Sequence, residues 1–251
     1  MERLAELQER RAFECRLTPD RALQRLDEAE GFARERGLLT RTADSALPSL
    51  FEACHEEPYK PGAGGFGEWP RTKWQWFGRL AERPGLTALK VHDRGKHLLV
   101  TDEVAALMDP IVRDELERMH ATDPRWARLL DHLAEAGPST TEDLRVELEL
   151  KPKELKVLRF PLELCGVLVG RHELEHEVMR WDQYFPEPAD GSGELDELVV
   201  AGVRAAVVAP ERELRRWFSW RWRFSDDLVE RLLAAGRLHR PEAGWVAAPP
   251  S

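Results

Sequence analysis

Residues 171–177 read RHELEHE and contain the string H-E-x-x-H, with His172 and His176 four apart and Glu173 beside the first. On a helix, that spacing stacks two imidazoles one turn apart, where they can grip zinc, with a glutamate as general base. On an extended strand the two rings share a face but lie too far apart for that grip. Neighbouring Arg171 and Glu175 put charge where a zinc-hydrolase helix packs apolar side chains. No third ligand follows at a set spacing, although Glu187, Asp190 and Glu194 have the right type. A zinc hydrolase acting through His172 and His176 is therefore kept only as a motif-level alternative. The plainer reading of the string is a charged, solvated segment. No cofactor is called for.

Other chemistry is carried by cations among aromatics. RRWFSWRWRF, residues 215–224, is the densest such run. Guanidinium groups contact phosphates and stack on bases, and tryptophan stacks on unpaired bases. Leu214, Trp217 and Phe218 fall on one apolar stripe and suit a core. Arg221 and Arg223 lie in the turn after it and suit contact. In KPKELKVLRFPLELCG, Leu155, Leu158, Leu162 and Cys165 share a helical face, Lys153 and Lys156 point away from it, and Arg159 lies at the side. Pro161 is expected to kink or restart this helix. Arg71, Lys73 and Arg79 surround Trp74 and Trp76; Trp74 and Phe77 suit the core there, and Trp76 the surface. Arg94 and Lys96 mark one hairpin tip, Arg237 and Arg240 another. GAGGFGE, residues 62–68, follows no strand of a βαβ unit, so a dinucleotide loop is a weak reading.

The elements that must position these residues recur in one order. Residues 1–15 form a charged helix. Thr18 and Pro19 open the next, with Ala22, Leu23, Leu26 and Ala29 on one stripe. LPSLFEACH and RTKWQWFGRLAERPG follow as helices, then LTALKVH and HLLVT as a hairpin around DRGK. Residues 102–123 are a helical connector broken at Pro110. Helix, short helix, helix and strand return over 124–186. PEPADGSGE reads as a linker. The order returns a third time over 194–248: ELDELVVAGVRAAVVA and PERELRRWF are helices, a third helix follows with Ser225 as N-cap and Gly236 as stop, and a hairpin turns at Pro241–Gly244.

The expected fold class is mostly α with small β-hairpins (α+β), arranged as tandem winged helix–turn–helix modules. Their expected bounds are 1–101, a connector at 102–123, 124–186 and 194–248. In such modules the third helix enters the major groove and the hairpin touches the backbone.

Composition limits the function. The 251 residues carry a net charge of −9, which argues against a general polyanion binder. The charge is segregated: residues 70–101 hold +5, 151–160 hold +3 and 211–240 hold +3, leaving −20 elsewhere. Local basic patches on an acidic chain suit a site-selective nucleic-acid binder. Cys15, Cys54 and Cys165 form no C-x-x-C pair, so neither a disulfide framework nor a cysteine zinc site is signalled. No apolar run is long enough to span a bilayer, and MERLAELQERR lacks a signal-peptide core, so a cytoplasmic protein without membrane contact is expected.

LLDHLAEAGPSTTEDLRVEL resembles the opening of a winged helix in the bacterial AlkZ/YcaQ-like family. VMRWDQYFPE is similar to the segment that closes that module, and ELRRWFSW with VERLLAAGRLHR resembles helices of the last one. The likeness covers residues 125–248, and 18–120 only in element order and LPSLFEA. The resemblance implies a winged-helix scaffold and double-stranded DNA as partner. The family includes glycosylases that unhook crosslinks or remove alkylated bases with a Gln-apolar-Gln or Gln-apolar-Asp motif. Here Gln8, Gln24, Gln75 and Gln183 are followed two residues on by Arg10, Leu26, Phe77 and Phe185. None fits, which implies a divergent, non-catalytic relative. The expected function is DNA binding in repair or regulation. A glycosylase with a shifted catalytic acid and a protein-interaction module remain as alternatives.

Overall fold

A computed structural model of the chain describes residues 3–170, 177–191 and 193–249. The architecture is α+β: helices packed around small antiparallel sheets. A first helix, α1 (Leu4–Glu14), precedes three rounds of similar element order. The first round has α2 (Leu26–Arg36), β1 (Leu38–Thr40), α3 (Leu50–Ala53), α4 (Trp76–Ala81), β2 (Leu86–His92) and β3 (Lys96–Thr101). After α5 (Asp102–Thr122) the second runs α6 (Pro124–Ala136), α7 (Thr141–Glu147), α8 (Pro152–Leu164), β4 (Leu168–Gly170) and β5 (Val178–Arg180), closed by α9 (Trp181–Tyr184). The third has α10 (Asp196–Ala206), β6 (Val208–Pro210), α11 (Leu214–Trp217), α12 (Leu228–Ala234) and β7 (Trp245–Ala247).

Each round sets its strands in the same spatial order. β3 lies between β1 and β2. β5 pairs with β4 and, through Val178, with Ser139. β7 pairs with β6 and, through Ala247, with His239. The strand after the first helix thus always pairs with the last strand.

Local chemistry explains the boundaries. Asp123 caps α6 through the Arg125 N–H, with Pro124 at the first helical position, and Gly137 ends the helix at φ +80°. Thr140 and Asp143 form a reciprocal capping box on α7.

Several expectations need correction. Residues 19–21 make only a single 3₁₀ turn, and α2 starts at Leu26, because the Leu23 N–H is spent on the Ala53 carbonyl (2.9 Å) and the Glu28 carboxylate holds the Gln24 N–H (2.9 Å). α5 runs unbroken through Pro110. The carbonyl that loses its partner there belongs to Ala106, an exposed residue, so water can serve it. α8 likewise passes Pro161, four residues after exposed Val157. The helix expected through Ala209 stops at Ala206, and the remaining apolar residues form β6. α12 begins behind Asp227 rather than Ser225.

One apolar core runs from Leu38 to Ala248 and takes residues from all three rounds. A second lies within the first round, between Leu23 and Leu99. The β2–β3 hairpin is wedged among the later rounds. Val91 accepts from the Ser219 N–H (2.8 Å), and Asp93 is bound by Arg221, with Arg216 at 3.5 Å. At Gly95, φ +81°, a Cβ would meet Leu164 at 3.0 Å. The expected linker is also tied down: the Ala189 N–H donates to Asp109 (2.9 Å), and Arg223 donates to the Gly193 carbonyl (3.3 Å).

Two buried carboxylates on α5 hold neighbouring elements. Asp109 accepts from Arg113 and from the Trp181 indole at 2.6 Å. Glu115 accepts from Arg118 at 2.6 Å, Arg223 Nε at 2.8 Å and the Trp222 indole at 3.2 Å. On α10, Gly202 lets the buried Trp217 ring approach: a Cβ there would lie 2.8 Å from it. Gly202→Ala is therefore expected to lower the unfolding free energy by about 1–3 kcal/mol through overpacking, measured by denaturant titration.

Candidate nucleic-acid interface

The cations singled out by sequence divide into two groups. Lys153 and Lys156 stand exposed on the outer face of α8, whose opposite face is anchored by Leu155 and Leu162. Arg71, in the turn before α4, and Arg79, on it, are also exposed, and Arg94 is exposed at the hairpin tip, 4.0 Å from Asp93. The others are engaged. Lys73 donates to the Leu23 carbonyl (2.8 Å). Lys96 donates to Asp44 (2.5 Å), and Arg159 to Glu163 (2.8 Å) and Thr141 (2.8 Å). Arg221 binds Asp93, and Arg223 binds Glu115 and Asp114. Arg237 forks onto Glu197 (2.7 and 2.6 Å), and Arg240 joins Glu211 (2.9 Å) to Glu230 (2.5 Å).

A cleft of about 690 Å³ separates β2 from the second round. Lys90, His97, Thr140, Thr141, Arg159 and Glu163 contribute polar groups to its wall. Glu163 has both oxygens occupied, one by Lys90 (2.5 Å) and one by Arg159 (2.8 Å). Sequence reasoning missed Lys90 and Glu163, which are 73 residues apart and are joined only by the fold.

The His92 ring, at the end of β2, bridges the Trp217 carbonyl (2.6 Å from Nδ1) and the Asp44 carboxylate (2.9 Å from Nε2). Burial raises the Asp44 carboxyl, but hydrogen bonds from His92 and Lys96 outweigh it and hold the group down to about 2. The stabilisation this represents is complete above the ordinary carboxylate range and is lost as pH falls from about 4 to about 2. Asp44→Asn is expected to remove about 2 kcal/mol at neutral pH, with wild type and variant converging near pH 2 in acid-unfolding curves.

Burial pushes the Cys15 thiol up to about 11 and those of Cys54 and Cys165 up to about 12, so none is a nucleophile at neutral pH. His172 and His176 lie outside the described residues. Among the described residues no group of three or more His, Cys, Asp or Glu could hold a metal ion, and no helix is long and apolar enough to cross a membrane.

No family profile and no curated protein matches the chain. Among solved structures, the DNA glycosylase AlkZ of Streptomyces sahachiroi is similar, with a TM-score of 0.56 and 15% identity, over 98% of this chain and 70% of that one. At that identity the likeness concerns the fold, and the fold of this chain is AlkZ-like.

Proposed function

We propose that the chain binds double-stranded DNA through three tandem winged helices, at 1–101, 124–186 and 194–248, in DNA repair or regulation. The observation that carries the reading is the element order, repeated three times with one strand order, in a fold like that of a DNA glycosylase. In the second round the third helix, α8, presents Lys153 and Lys156 outward, where a groove-entering helix needs its cations. Arg71, Arg79 and Arg94 are the other cations proposed to meet phosphates.

Fluorescence anisotropy of labelled duplex across a salt series tests this. Four to five phosphate contacts give a log–log slope of about −3.6 to −4.5. No binding at low salt overturns the reading.

Base excision is the less favoured alternative. It asks for a carboxylate facing the lesion; Glu142, Glu163 and Glu177 line the cleft, both oxygens of Glu163 are held by cations, and none of the three sits in a Gln-apolar-Gln or Gln-apolar-Asp motif. A protein-interaction role draws support from one feature: a groove floored by Trp126, Leu148, Leu150, Val157, Leu158 and Pro161 between α6 and α8. Zinc below about a tenth of an equivalent in protein purified without chelator removes the hydrolase alternative.

A further inference from the structure

The glycine-rich stretch at 62–67 builds a hairpin, and that hairpin carries rings to the surface. Pro58 bridges Pro70, the Tyr59 N–H donates to the Trp69 carbonyl (2.8 Å), and the Lys60 N–H donates to the Gly67 carbonyl (2.8 Å). Gly64 and Gly65 turn the chain at φ +68° and +56°, where a side chain is strained. A Cβ on Gly67 would sit 2.6 Å from that of Ala63.

The result is a run of aromatic rings leading out of the core. Buried Phe51 meets Trp69 at 5.6 Å between centroids. Trp69 meets Phe66 at 4.4 Å, and Phe66 meets Trp74 at 5.5 Å and Tyr59 at 6.5 Å. The Arg41 guanidinium lies over Trp69 at 4.3 Å. The inner rings fix the outer ones, yet Tyr59, Phe66 and Trp74 remain 63%, 51% and 38% exposed.

Other exposed aromatics differ: Phe160 stands on α8 with its ring beside Gly95. Phe13 is covered by the Arg21 guanidinium at 3.7 Å. Trp222 is tied by its indole to Glu115, and Arg118 lies over its ring at 5.6 Å. Among the described residues, the Tyr59–Phe66–Trp74 cluster is where three exposed rings adjoin, Phe66 meeting Tyr59 and Trp74 edge-on at 66° and 65°, so that each ring turns its open surface to solvent in a different direction.

We infer that the Tyr59–Phe66–Trp74 surface is a binding site for unpaired nucleobases, which it holds by stacking. Successive bases of a single strand present flat π-faces that separately oriented rings can each take, without needing a sequence. Charge along the first-round segment that carries the rings is nearly balanced, with exposed Lys60, Arg71 and Arg79 against Glu57, Glu68 and Glu82. Stacking rather than phosphate attraction therefore dominates, and binding should depend only weakly on salt. The inference rests on the DNA-binding reading only in taking a nucleic acid as ligand. Of the cations proposed for duplex, Lys153 and Lys156 on α8 belong to another round of the chain, while Arg71 and Arg79 share the first round with this surface.

The test uses the full chain with labelled oligothymidylate and, separately, labelled duplex, each over a salt series. Single-strand binding is expected to quench tryptophan emission and to show a slope shallower than about −2. Phe66→Ala combined with Trp74→Ala should weaken it by about 30-fold or more, while duplex affinity, which rests on cations that the double variant keeps, changes by less than about threefold. Trp74→Phe should keep the affinity and lose much of the quench. Circular dichroism confirms that each variant is folded. Duplex binding with no single-strand binding, or with single-strand binding indifferent to the double substitution, overturns the inference and leaves the proposed function standing. Ring-dependent single-strand binding without duplex binding supports the inference and overturns the proposed function. Binding of neither probe overturns both.

Discussion

With Lys153 and Lys156 both changed to glutamate, duplex affinity is expected to fall by roughly 30- to 100-fold near 0.1 M salt, with the salt slope shallower by about two. The helix should survive the exchange. Both side chains are exposed, while Leu155 and Leu162 fasten the opposite face and Pro152 and the Glu154 carboxylate secure the first turn. Lys153→Arg with Lys156→Arg should retain binding, because charge rather than shape is being used. Anisotropy at several salt concentrations reads both effects. An unchanged slope would remove α8 from the interface.

Glu115→Ala is expected to lower the unfolding free energy by about 3–5 kcal/mol, the cost of removing one member of a buried pair. Glu115 is fully buried, and it joins α5 to the loop carrying Trp222 and Arg223. Without it Arg223, largely buried, keeps only the more distant Asp114 carboxylate, at 3.3 Å, as a counter-charge. Glu115→Leu with Arg223→Met should recover much of the loss, since an apolar pair leaves no stranded charge. Urea unfolding of the single and double variants measures the difference. Equal losses in both would mean that packing, rather than charge, sets the cost.

The helices were legible in the sequence wherever their signals are local. Pro124, Gly137, Thr140 with Asp143, and Gly236 act within a turn of themselves, and the order of elements follows from them. β1, β6 and the bridge at Ser139 were not legible. Three residues are too few to show alternation, and the last strands with which they pair lie 35 or more residues away. Trp74 and Trp76 were assigned the wrong way round because the helix starts only at Trp76. Trp74 thus precedes the helical phase and is exposed, whereas Trp76 packs against the first-round core.

The candidate cations were legible by residue type, but their ion-pair partners were not. Arg221 finds Asp93 at a separation of 128 residues, Arg223 finds Glu115 at 108, and Arg237 finds Glu197 at 40. Local spacing carries no trace of such partners, so a count of cations overstates the free ones. The glycines at 62–67 were weighed against phosphate loops because their other use, a tight hairpin carrying Phe66, depends on pairing with Tyr59 and Lys60.

The hairpin wedged between later rounds sets an order of events during synthesis. β2 and β3 can pair once residue 101 has been made, but the Val91 carbonyl waits for Ser219 and Asp93 waits for Arg221. Leu7 of α1 waits longer still, since its cluster is completed by Val207, Val208 and Ala247. Contacts so distant along the chain slow folding. A nascent chain halted before residue 214 would therefore hold an uncovered hairpin edge, with Asp93 lacking both Arg216 and Arg221. In a cell, that interval is when a chaperone or a protease would meet this protein.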